Sequence, residues 1–100
     1  MRIILATDPP WGQTANAKQM VELAHRLQDD LHTVYWMPTW GFSDGGSVTW
    51  EGIEILPGDD SHGNDIIKHH VAAIAAHLVI TRGWGSQFPE YGGSDFAWWA

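Results

Sequence analysis

Residues 2–37 read RIILATDPPWGQTANAKQMVELAHRLQDDLHTVYWM, and this stretch decides the fold. Ile3, Ile4, Leu5 and Ala6 form a short continuous apolar run. Such a run suits a strand buried on both faces of a parallel sheet. Pro9 and Pro10 stop it, because proline cannot donate to a strand ladder. From Thr14 the period changes. Ala17, Met20, Val21, Ala24, Leu27 and Leu31 recur at three- and four-residue spacing, one apolar stripe of a helix. Thr14 is the expected N-cap, and Gln28-Asp29-Asp30 marks the end. Lys18, Glu22 and Arg26 lie four apart on another face, where i,i+4 pairing supports a helix. His32 to Met37 is β-branched and aromatic, so it reads as a second strand that Pro38 closes. The unit is β-α-β.

The rest of the chain extends the same pattern. Residues 39–47, TWGFSDGGS, form a loop. VTW and IEIL flank Glu51-Gly52 and are expected to pair as a hairpin about that turn. Val48 and Trp50 share one face of it, and Ile53 and Ile55 share one of theirs. Residues 57–65 are a second loop, with Asn64 as the expected cap of a helix whose stripe is Ile67, Val71, Ile74 and Leu78. HLVIT at 77–81 is another short strand, residues 82–95 are irregular, and FAWWA at 96–100 begins one more strand. Strands alternating with helices imply a Rossmann-like α/β domain: a parallel sheet with right-handed crossovers, flanking helices and one β-hairpin insertion.

Length and composition set bounds. One hundred residues suit one small domain, and 44% hydrophobic with 17% charged residues is a globular balance. The formal net charge is −7 and the basic residues are scattered, so phosphate-driven nucleic-acid binding is disfavoured. No cysteine is present, which removes disulfides and thiolate metal sites. The first apolar run is too short for a signal peptide and no later one reaches membrane-spanning length, so a cytoplasmic chain with no transmembrane segment is expected. Of the seven tryptophans, Trp11, Trp40 and Trp84 follow strand-like runs. They are the better candidates for stacking on a sugar or base, against core packing as the ordinary use of indoles.

Ligands of open α/β sheets bind at the carboxyl ends of strands. That directs attention to loops 8–14, 38–47, 57–63 and 82–90. Neither the dinucleotide G-x-G-x-x-G nor the Walker pattern follows the first strand. Asp59, Asp60, His62, Asp65, His69 and His70 cluster in sequence but lack metal-ligand spacing. Solvated histidines are the expected reading, and no metal or resident cofactor is expected. No G-x-S-x-G nucleophile elbow occurs.

Several spaced motifs do resemble a family. DPPWGQTANAKQMVELAHRL is similar to the first loop and helix of family-4 retaining glycosyltransferases of the two-domain GT-B fold. Pro10, Trp11, Thr14 and Gln19 match a pattern S-P-W-x-x-T-G-Y-G-x-Q-T. GFSDGGSVTWEGIEILPG resembles a stretch G-L-Q-G-G-x-x-x-W-x-G-I-x-V-Y-P, through Gly41, Gly45, Gly46, Trp50, Gly52, Ile53 and Pro57. HGNDII and HLVIT resemble Y-G-N-D-x-I and A-D-L-V-I-T. The likeness covers about residues 2 to 81. Ala15-Asn16-Ala17 stands where the family often has Gly-Tyr-Gly, which adds two Cβ atoms where backbone approaches a ligand.

The resemblance implies that residues 1–100 are a truncated amino-terminal, acceptor-side domain, with the carboxy-terminal nucleotide-sugar domain absent. The whole enzyme would move a sugar from a nucleotide-sugar co-substrate to an acceptor hydroxyl without a metal, and these residues alone would not turn over. No catalytic residue is assigned. Trp11, Gly12, Gln13, Thr14, Asn16, Lys18, Trp40, Gly45 and Gly46 are the expected acceptor- or ligand-binding residues. A truncated sheet also exposes an edge through which the fragment could self-associate. Two other readings stand beside it. One is a free-standing, non-catalytic Rossmann- or flavodoxin-like module binding a nucleotide, carbohydrate or protein. The other is a small hydrolase using the Asp/His loop.

Overall fold

The computed structural model describes residues 1–12, 14–40, 48–58, 66–81 and 97–99. In chain order the elements are β1 (Arg2–Thr7), α1 (Ala15–Asp29), β2 (Thr33–Pro38), β3 (Val48–Trp50), β4 (Ile53–Ile55), α2 (Ile67–Ile74), β5 (Leu78–Thr81) and β6 (Ala97–Trp99). They build one mixed sheet of order β3-β4-β2-β1-β5-β6. β4, β2, β1, β5 and β6 pair parallel to their neighbours, while β3 pairs antiparallel with β4. The arrangement is α/β and is compatible with a Rossmann-like fold.

β1 occupies the middle because it is buried on both sides. Ile3 to Thr7 are all buried, and β1 aligns Ile3 with Val34 and Leu78, and Leu5 with Trp36 and Ile80. Alternation then sends successive side chains to opposite faces. On one face Ile3, Leu5, Val34, Trp36, Ile53, Ile55 and Ile80 pack with Met20 and Ala24 of α1. On the other, Ile4, Ala6, Met37 and Val79 pack with Ile67 of α2. Full burial of a large side chain such as Trp36 stabilises by about 1.5–3 kcal/mol.

The helix ends follow local chemistry. The Thr14 hydroxyl accepts from the Ala17 N–H at 3.1 Å, so the expected N-cap is present. At the other end the stripe overruns the helix. Leu31 N–H donates to the Gln28 carbonyl and His32 N–H to the Leu27 carbonyl, the paired bonds of a Schellman motif. Leu31 therefore takes φ 68° and is 92% exposed rather than buried. α2 is corrected similarly. Its N-cap position is Ile66, without a side-chain cap bond, and Ala75 turns left-handed, so Leu78 belongs to β5. Asn64 lies outside the described residues.

The expected hairpin is β3–β4, aligning Val48 with Ile55 and Trp50 with Ile53. Glu51 and Gly52 have φ 47° and 81°, the doubly positive pattern of a type I′ turn. Among the described residues, no helix is long and apolar enough to cross a membrane.

Candidate functional site

The strand order reverses at β1. One crossover leads from β1 through α1 to β2, and the other from β4 through α2 back across to β5. The carboxyl ends of β1 and β5 thus flank a switch point, where α/β sheets open a crevice. Thr7 and Thr81 are buried there. The Thr39 N–H donates to the Thr7 carbonyl at 2.9 Å and ties the exit of β2 to the exit of β1.

Asp8, the next residue, organises the first loop. Its carboxylate accepts from the Thr14 hydroxyl at 2.7 Å through Oδ2 and from the Trp40 indole N–H at 2.8 Å through Oδ1. Its backbone carbonyl accepts from the Trp36 indole at 3.1 Å. Thr14 therefore donates to Asp8 while accepting from Ala17, using both roles of a hydroxyl. One carboxylate joins the end of β1, the start of α1 and the loop after β2. Gly12 fits inside this knot. Its N–H donates to the Pro9 carbonyl at 2.8 Å. A Cβ there would stand 3.0 Å from that oxygen and 3.7 Å from the Trp40 ring.

Trp11 and Trp40 remain 41% and 48% exposed although the chain has a core that takes up Trp36 completely. Beside Trp11 opens a groove of about 420 Å³ between α1 and the β3–β4 hairpin. Its walls include Trp11 and Gly12 from the loop, Lys18 and Val21 from α1, and Trp50 and Glu51 from the hairpin. The volume lies within the range of about 300–1,000 Å³ usual for small-molecule sites. The His25 imidazole approaches the Glu51 carboxylate to 3.8 Å, linking the hairpin turn to α1. Both side chains are about half exposed, so this contact is weak.

The structure brings Trp11, Gly12 and Lys18 together on one groove and joins Thr14 and Trp40 through Asp8. Asn16 is half-buried in the first turn of α1. Gln13, Gly45 and Gly46 lie outside the described residues, as do loops 41–47, 59–65 and 82–90. Of Ala15 and Ala17, Ala17 is fully buried and only Ala15 is exposed. A single methyl, not two, thus stands toward solvent at the helix start.

Sequence reasoning missed Asp8, Trp50 and Glu51. Asp8 and Trp40 are far apart in sequence, so no local spacing signals their bond. Trp50 and Glu51 read as hairpin residues, and only the packing of the hairpin beside α1 turns them into a wall. One expected solvated histidine is corrected: His70 is buried, with Nε2 donating to the Pro57 carbonyl at 2.7 Å, while His69 is exposed. No group of three potential metal ligands occurs among the described residues. Compared with known proteins, the chain matches no family model, no curated protein and no solved structure.

Proposed function

We propose that the chain is the acceptor-side part of the amino-terminal domain of a GT-B glycosyltransferase. In that role it holds the molecule whose hydroxyl receives a sugar from a nucleotide-sugar. One observation carries the reading. Asp8 ties the loop after β1 to the loop after β2 at the carboxyl edge of the sheet, while Trp11 on the first and Trp40 on the second stay exposed. Exposed indole faces suit the C–H faces of sugar rings, which are apolar while their edges are polar. The strand order, equivalent to one wing and the centre of a doubly wound sheet, supports the same reading.

The test is a titration of the chain with simple saccharides and, separately, with UDP- and GDP-sugars, followed by the indole N–H resonances. The expected result is weak saccharide binding, around the millimolar range, that moves Trp11 or Trp40, with no tight nucleotide-sugar binding and no turnover. Tight nucleotide-sugar binding without saccharide binding refutes the assignment.

A second reading has its own support. The radius of gyration is 12.1 Å, against about 13 Å for an independent domain of this length. A free-standing carbohydrate- or nucleotide-binding module is consistent with that size. Saccharide binding by the isolated chain fits both readings. Transfer activity in a protein that joins this domain to a nucleotide-sugar domain fits only the first.

A further inference from the structure

The groove between α1 and the β3–β4 hairpin adjoins the Asp8–Trp40 knot through Gly12, which belongs to both. We infer that this groove is a saccharide subsite in which Lys18 and Glu51 hydrogen-bond ring hydroxyls and the indoles of Trp11 and Trp50 contact the ring. This deepens the carbohydrate reading above and rests on it.

The lining has the composition that a polyhydroxylated ring needs. Trp11, Trp50 and Val21 supply apolar area, and Lys18 and Glu51 supply a donor and an acceptor of opposite charge. A ligand with a net charge would meet one like charge in the groove. A neutral ring with several hydroxyls can satisfy both, since each hydroxyl donates and accepts. An all-apolar ligand would desolvate the two charges without replacing their hydrogen bonds.

Glu51 carries a second signal. It holds φ 47° at the first central position of the turn, where a type I′ turn favours Asn. A left-handed glutamate costs stability that asparagine would return. Backbone strain of this kind gathers at ligand sites. Here the strained residue is also a groove wall. Glu51 thus trades hairpin stability for ligand contact.

The experiment titrates methyl glucosides, galactosides and mannosides into the wild type, Lys18→Ala, Glu51→Asn and Trp40→Ala, with the thermal midpoint of each variant measured alongside. Lys18 and Glu51 are exposed, so these variants keep the fold. The expected result is a raised midpoint for Glu51→Asn together with affinity lowered about fivefold in both Glu51→Asn and Lys18→Ala, as the loss of one hydrogen bond implies. If saccharides bind and only Trp40→Ala weakens them, the groove is overturned while the carbohydrate reading survives. If no saccharide binds the wild type, both fall. If saccharides bind and no variant changes the affinity, the groove assignment is wrong.

Discussion

Replacing Asp8 by alanine removes two acceptors at once and keeps the backbone carbonyl that holds Trp36. Hydrogen bonds to charged groups contribute about 1.5–3 kcal/mol each when sheltered. Here the Thr14 bond is part-buried and the Trp40 bond is exposed, so water replaces much of the second. We expect Asp8→Ala to lower stability by about 2 kcal/mol, a fall in melting temperature on the order of 10 °C for a domain of this size. Asp8→Asn should cost about half as much, because the amide keeps one acceptor oxygen and turns a donor toward the other partner. A double-mutant cycle with Thr14→Val isolates the shorter bond. Its coupling energy should be about 1 kcal/mol, with the double variant less destabilised than the two singles added. Urea denaturation gives the energies. Hydrogen exchange at the Trp40 indole gives an independent local reading, faster in Asp8→Ala and unchanged in Thr14→Val. The reasoning is refuted if Asp8→Ala lies within about 0.5 kcal/mol of wild type and the Trp40 indole signal does not move.

Leu31→Gly should raise stability by about 0.5–1 kcal/mol, since Leu31 sits left-handed at the end of α1 with its side chain in solvent; Leu31→Ala, measured in the same urea series, should gain nothing comparable. Gly12→Ala should lower stability by about 1 kcal/mol and shift the Trp40 indole resonance, because the new methyl presses on the Pro9 carbonyl. His70→Leu should cost about 1–3 kcal/mol by thermal melting, as it strips the Pro57 carbonyl of its donor.

The central β-α-β unit was legible because each of its elements repeats its signal over many residues. The β1 run is buried throughout, Thr14 caps α1, and a Glu-Gly turn with apolar neighbours gives the hairpin. What misled was periodicity at helix ends. Leu27 to Leu31 and Ile74 to Leu78 are both four-residue steps, so the stripe runs on where the backbone has already left the helix. No glycine marks either exit, since Leu31 and Ala75 adopt the left-handed turn themselves. His70 escaped for a different reason. A polar residue on the buried face of α2 is stable only when partnered, and the Pro57 carbonyl that accepts from His70 lies outside the helix. Part of the candidate site was visible as Trp11, Gly12, Thr14, Lys18 and Trp40. The rest is Asp8, Trp50 and Glu51, whose roles arise from contacts across the fold.

The central place of β1 also shapes how the chain is made. β1 leaves the ribosome before its partners, and β2 can cover one of its edges once residue 38 has emerged. The other edge waits for β5, residues 78–81. For some forty residues of synthesis this central, largely buried strand carries an open ladder of N–H and C=O groups. The nascent domain is therefore most prone to mispairing in that interval. A stall or truncation between Ala6's two partners, Met37 and Thr81, should release an aggregating product, whereas one just beyond Thr81 should release a chain whose central strand is paired on both sides.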